Sequence, residues 1–205
     1  MLDETVLANH VAWLRQKVVD TPYVCHDDDD ELMCAILDME LKRRNINLTV
    51  AEINTIVNLK RSISHHLGDF WQRILGDAPG WTNLGIGDES GCDIKHNERR
   101  IVIELKNKMT TMNSSSKAAV MKKLQKQQEV GNTAILGIIN GKGNMTMDKS
   151  TGIPVATGAA LFDIVYNNRT IFAQVVDGVK RMWSETTDDV DALAEEFMQK
   201  AMVNE

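Results

Sequence analysis

Apolar residues recur at helical spacing through the first third of the chain, and the pattern changes to strand-like runs in the middle. Val6, Leu7, His10, Val11 and Leu14 share one stripe, so Asp3 is expected to cap a helix running to about residue 19. Thr21-Pro22 ends it. The acids from Asp27 to Glu31 precede a second helix that closes on Lys42-Arg43-Arg44, an order of charge that suits the helix dipole. Thr49 and Glu52 form a capping box for a third helix to about residue 66. Gly68 interrupts that pattern, and a separate short helix over 69–75 is expected, stopped by Gly76.

Gly80, Gly85, Gly87 and Gly91 punctuate 76–92, which reads as a loop. Strands are predicted at 92–96 and 100–106, because Ile101 to Leu105 is dense in β-branched and aliphatic residues. Ser114, Ser115 or Ser116 is expected to cap a helix over 117–130. The continuous apolar run 133–139 has the length and composition of a buried central strand. A polar turn follows over 141–151, then an edge strand at 153–156, then helices at 158–166, 170–183 and 190–202. The order β-β-α-β with flanking helices implies an α/β (α+β) sandwich around a mixed sheet. At 205 residues the chain is expected to be one domain, with a helical N-terminal part (1–66) and a core (67–205).

The strand over 100–106 also carries chemistry. Alternation puts Ile101, Ile103 and Leu105 on one face and Val102, Glu104 and Lys106 on the other. Glu104 and Lys106 are then about 7 Å apart along that face. With Asn97-Glu98 as a two-residue hairpin loop, Asp93 falls opposite Val102 and diagonal to Glu104, on the same face. A one-residue change of register would reverse that result. Two carboxylates and the Leu105 carbonyl suit Mg²⁺, which takes oxygen ligands and keeps several waters. Such an ion activates water and neutralises charge developing on phosphorus, and the Lys106 ammonium adds a second positive group. An amphipathic surface hairpin with a Glu-Lys pair carries the same short pattern.

Composition sets limits. With 43% apolar and 25% charged residues, the chain can bury a core without disulfides or metals as staples. No apolar run approaches the roughly 18 residues of a membrane span, and the acidic start Met1-Leu2-Asp3-Glu4 is unlike a signal peptide. Cys25, Cys34 and Cys92 lack metal-motif spacing, and the cytoplasm is the expected compartment. The net charge of −6 argues against a polyanionic partner until it is mapped. Residues 1–40 carry ten acids and two bases, residues 177–205 eight acids and three bases, and residues 95–126 nine bases and two acids. Positive charge thus gathers around the Glu104/Lys106 strand, where it would attract a nucleic acid. A solvated lysine-rich helix is the bland alternative.

Other groups carry less. Asp27–Asp30 lacks the spacing and glycine of a calcium loop and reads as a helix N-terminus. Cys25, His26 and Cys34 lack a fourth zinc ligand and read as buried thiols beside a histidine. His65-His66 follows a helical segment and faces either the site or solvent. Gly85-x-Gly87 opens no helix after a strand, so it is no dinucleotide fingerprint. Met109, Met112, Met121, Met145 and Met147 read as core filling. Gln72 precedes the glycine-rich approach to Asp93 and is balanced between leaning over a metal and lying on the surface.

Asp93 with Glu104-x-Lys106 resembles the PD-(D/E)xK nuclease superfamily, with Cys92 where that pattern has proline. A longer set of segments, 67–76, 79–85, 91–94, 103–108 and 111–116, is similar to type II restriction endonucleases of the SinI kind, which cleave GGWCC or GGNCC sites. The resemblance covers roughly 65–120 and is weak before that. It implies a restriction-endonuclease-like core, Asp93 and Glu104 as metal ligands and Lys106 as the catalytic lysine. It implies Mg²⁺, with Mn²⁺ as a substitute. It also implies double-stranded DNA as substrate and a homodimer to meet a palindromic site. Asn107, Lys108, Asn113, Ser114, Ser115, Ser116 and Lys117 are the implied DNA contacts, although Met109-Thr110 stands where relatives carry other residues. A repair or recombination nuclease, or a DNA-binding module without catalysis, are the alternatives that share this scaffold.

Overall fold

The computed structural model describes residues 2–20, 31–85 and 87–184. The predicted helix at 190–202, the Asp27–Asp30 run, Cys25 and His26 lie outside these residues. Two compact units are distinguished, one formed by 2–14 with 67–184 and the other by 15–20 with 31–66.

Helix α1 (Glu4–Val19) starts where Asp3 accepts the Thr5 N–H at 2.7 Å, and it buries Leu7, Val11 and Leu14 as the stripe requires. Helix α2 (Glu31–Arg43) ends in bases that pair with its own acids, Lys42 to Asp38 and Arg43 to Glu40, each at 2.7 Å. Helix α3 (Val50–Gly76) opens with the expected capping box: Glu52 accepts from the Thr49 N–H at 2.7 Å, and Thr49 Oγ1 accepts from the Glu52 N–H at 3.2 Å. The expected break at Gly68 is corrected. One continuous helix of 27 residues runs through it. A helical glycine costs only about 1 kcal/mol relative to alanine. The turns after it bury Phe70, Trp71, Ile74 and Leu75, which offsets that cost.

The larger unit is built on a six-stranded mixed sheet of order β1-β2-β3-β4-β6-β5. Its strands are β1 (Trp81–Asn83), β2 (Ile94–His96), β3 (Ile101–Lys106), β4 (Thr133–Ile138), β5 (Met145–Met147) and β6 (Pro154–Thr157). Strands β1 and β5 each fall inside a stretch expected to be loop or turn, because three residues are too few to show a period. Strand β6 was expected at an edge. It lies between β4 and β5, paired parallel to the first and antiparallel to the second. Strands β3 and β4 are parallel and central, and α4 (Ser114–Glu129) joins them as the crossover.

Helix α4 covers one face of the sheet. Val120, Met121 and Leu124 pack there with Val102, Ala134, Leu136 and Ile138. Helices α5 (Ala159–Tyr166) and α6 (Ile171–Ser184) serve the other face, together with the end of α3. Trp71, Phe162 and Phe172 form an aromatic cluster there, with ring centroids 5.2–6.1 Å apart. The result is an α/β sandwich with a helical N-terminal part, compatible with a restriction-endonuclease-like core. Of the methionines expected in the core, Met121 is buried and Met112 packs against it. Met109, Met145 and Met147 are exposed, since one lies on a short 3-10 turn and two on the edge strand.

Two glycines predict opposite responses to alanine. At Gly137 in β4 an added Cβ would come within 2.9 Å of Ile103 and Leu105 side chains and 3.0 Å of Leu161. Gly137→Ala should therefore destabilise by about 1–3 kcal/mol. At Gly68 nothing lies within 4 Å, so Gly68→Ala should stabilise by up to about 1 kcal/mol. Urea-unfolding midpoints of the two variants against wild type check the signs.

Candidate active site

Strand β3 carries the site because its two faces differ in what they meet. Val102 and Glu104 turn to the α4 side, and the register with β4 sets Leu136 beside Glu104 and Ile138 beside Lys106. The Glu104 carboxylate therefore enters an apolar layer and is 4% exposed. A carboxylate taken that far from water needs cationic partners. It has two. Lys106 Nζ donates to Oε1 at 2.7 Å, and Lys123 Nζ from α4 donates to Oε2 at 2.6 Å.

Asp93 arrives one residue ahead of β2. Its N–H donates to the Ile103 carbonyl at 3.0 Å, and its carbonyl accepts from the Leu84 N–H at 2.9 Å. The hairpin differs from expectation here. The β2–β3 connection is a four-residue turn, 97–100, with Arg100 left-handed at φ 50. Val102 consequently pairs with Lys95, not with Asp93. The slip is two residues, the ladder ends at the Ile94–Ile103 pair, and Asp93, just before it, reaches the Glu104 end of β3 through its N–H on the Ile103 carbonyl and its carboxyl on the Leu105 N–H.

The carboxyl of Asp93 is fixed from two sides. The Leu105 N–H donates to Oδ2 at 2.6 Å, and Gln72 Nε2 from α3 donates to Oδ1 at 3.0 Å. Gln72 thus reaches the site rather than solvent. Burial raises the Asp93 pKa above the ordinary aspartate value, and the negative charge of Glu104 raises it further. The Leu105 N–H and the two lysines oppose that shift only in part. The carbonyls of Arg100 and Lys106 accept from β4 and the residue after it, so alternation turns the Leu105 carbonyl the other way, toward the Asp93 side. Two carboxylates and a carbonyl on one edge form an oxygen donor set suited to a hard divalent cation. An ammonium stands beside them. The group sits at the carboxyl end of a parallel strand, where ligands collect in α/β sheets.

The other sequence candidates spread along the next segment. Asn107 and Lys108 leave β3 directly beside the site, and the Asn107 carbonyl accepts from Asn140 at 3.0 Å. The cap of α4 is Asn113, not a serine: its Oδ1 accepts from the Ser116 N–H and from Ser115 Oγ, both at 2.8 Å. Ser114 becomes the first helical residue. Lys117 Nζ pairs with Asp148 at 2.7 Å, which holds that carboxyl well below the usual range together with Ser150 and Thr151. The basic segment is partly consumed by the fold in this way. Arg99 and Arg100 donate to the carbonyls of Ile164 and Val130.

Lys123 was not singled out from the sequence. The signal was present: it lies three residues after Val120 and next to Leu124, on the margin of the buried stripe of α4. Cys92, in the position of the pattern's proline, is 2% exposed, and burial pushes its thiol up to about 11. It acts as an apolar core residue there. Cys34 is half-buried.

Residues 30–147 match the family described as Eco47II restriction endonuclease, a stretch that contains Gln72, Asp93, Glu104, Lys106 and Lys123. The type II restriction enzyme Eco47II of Escherichia coli is 43% identical over 53 residues. That alignment covers 26% of this chain and only 21% of the relative's length. No helix among the described residues is long and apolar enough to cross a membrane. The family match spans more than half of the chain, and the chain belongs to the Eco47II restriction endonuclease family.

Proposed function

We propose that this chain is a Mg²⁺-dependent type II restriction endonuclease of the PD-(D/E)xK kind that hydrolyses phosphodiesters of double-stranded DNA at a specific sequence. The observation that carries this reading is the convergence of Asp93, Glu104 and Lys106 at one strand end, inside a segment that matches a restriction endonuclease family. Asp93, Glu104 and the Leu105 carbonyl would hold the ion, with Mn²⁺ as a substitute. The ion, when bound, supplies Lewis-acid activation of water and neutralises charge on the scissile phosphate.

The residues of the chain do the rest. Gln72 and the Leu105 N–H fix the direction of the Asp93 carboxyl. Lys106 orients the attacking water and stabilises the negative charge that grows on the phosphate oxygens. Water adds to phosphorus, one P–O ester bond breaks, and the departing oxygen leaves as an alcohol after taking a proton. Asn107, Lys108 and the 113–117 segment lie next in the chain and would meet the DNA backbone or bases. The likeness to enzymes of the SinI kind makes a GGWCC or GGNCC site the first to test, read by a homodimer across its two-fold axis in the cytoplasm. In this proposal residues 1–205 act as a single endonuclease domain.

Incubation of the protein with phage DNA and Mg²⁺ should give discrete bands, and ends mapped on a sequenced plasmid should define one short site. Lys106→Ala should lower the cleavage rate by about 10²–10³-fold, and Asp93→Ala should lower it to background. Smears, no cleavage by wild type, or full cleavage by Asp93→Ala would overturn the proposal.

The raised pKa of Asp93 has a second consequence. The folded state holds that proton more tightly than the unfolded chain, so the ionised carboxyl lowers metal-free stability at neutral pH. This loss disappears as pH falls below the ordinary aspartate range. Asp93→Asn should therefore melt at or above the wild-type temperature near pH 7 without metal, and the gap should close as pH falls. Melting curves across pH test the sign; an Asp93→Asn protein that melts lower at pH 7 contradicts the assignment.

A further inference from the structure

Lys123 makes two contacts that the proposed chemistry does not require. Its ammonium donates to Glu104 Oε2 at 2.6 Å and also to the Gly91 carbonyl. Gly91 permits the second contact: its φ is 64, and a Cβ there would lie 2.7 Å from Lys123 Cδ. One helical turn later, Gln127 Nε2 donates to the Ser90 carbonyl at 3.2 Å. Helix α4 thus grips the loop that leads into Asp93 at two successive carbonyls. The same lysine fastens that loop to the strand carrying Glu104.

Charge decides what this arrangement does. Asp93 and Glu104 contribute two negative charges, and Lys106 and Lys123 two positive ones. The set is balanced without a metal. A divalent cation brought to the two carboxylates would leave an excess of two positive charges in a half-buried space, so an ammonium must withdraw. Lys106 belongs to the same strand as Glu104 and is needed beside the reacting phosphate. Lys123 already has another acceptor in the Gly91 carbonyl.

We propose that Lys123 is a positioning residue that serves as the counter-ion of Glu104 in the metal-free protein and releases it when a divalent cation binds, staying tethered to Gly91. This rests on the reading of Asp93 and Glu104 as metal ligands. It makes Lys123 a regulator of metal affinity: it keeps the buried carboxylate in place, and it competes with the ion.

The test uses Mn²⁺ alone, without DNA, by titration calorimetry on the full chain. Lys123→Met should bind Mn²⁺ about tenfold more tightly than wild type, the order expected from removing one nearby positive charge. General damage to the site would weaken binding instead. In the absence of metal, Lys123→Met should lower the melting temperature, and Glu104→Gln combined with it should give a non-additive result. Lys123→Gln, neutral and still polar, carries the same comparison should the methionine variant not fold. Unchanged or weaker Mn²⁺ binding by a folded variant overturns the displacement. Additive stabilities overturn the pairing. Wild-type Mn²⁺ binding that Asp93→Asn leaves untouched would remove the metal site itself, and the displacement with it.

Discussion

A carboxylate buried in an apolar layer is the constraint around which the site is organised. Glu104 lies between the sheet and α4 at 4% exposure, and a charge in that place is tolerated only with partners. The fold supplies them from different levels. Lys106 follows from strand alternation, two residues away on the same face. Lys123 comes from the crossover helix, which the parallel pairing of β3 and β4 obliges to lie over that face. Asp93 is brought in by the antiparallel hairpin and secured by the Leu105 N–H and Gln72. One group thus draws on α3, β3 and α4 together with the loop before β2.

Much of this was legible in the sequence because it follows local rules. The capping box at Thr49 and Glu52, the aliphatic stripe of α1 and the apolar run of β4 each formed as their patterns require. Glu104 and Lys106 share a face because alternation along a strand leaves no other choice. What escaped was set by tertiary context. Gly68 stays helical because the following turns bury large side chains. The hairpin turn is two residues longer than an Asn97-Glu98 loop, and nothing in 97–100 marks where Arg100 turns left-handed. Asp93 still comes beside Glu104, because its N–H and carboxyl bond to Ile103 and Leu105 on either side of that residue. Strands β1 and β5 are too short to leave a period, and β6 gained a neighbour through β5.

The charge map illustrates the same division. The sequence concentrates bases in 95–126, and that concentration is real. The fold spends several of them on itself: Arg99 and Arg100 on backbone carbonyls, Lys117 on Asp148, Lys106 and Lys123 on Glu104. A basic segment therefore reports both an attraction to polyanions and the buried acids it must neutralise, and only the structure separates the two.

The central claim is that the Asp93–Glu104 pair is a divalent-metal site. Anomalous diffraction from crystals soaked in Mn²⁺ tests it most directly. The account predicts a peak within about 2.0–2.6 Å of an oxygen from each of Asp93, Glu104 and the Leu105 carbonyl, the usual range for hard cations and oxygen. A well-ordered site with no peak there, or a peak held by other residues, would contradict it.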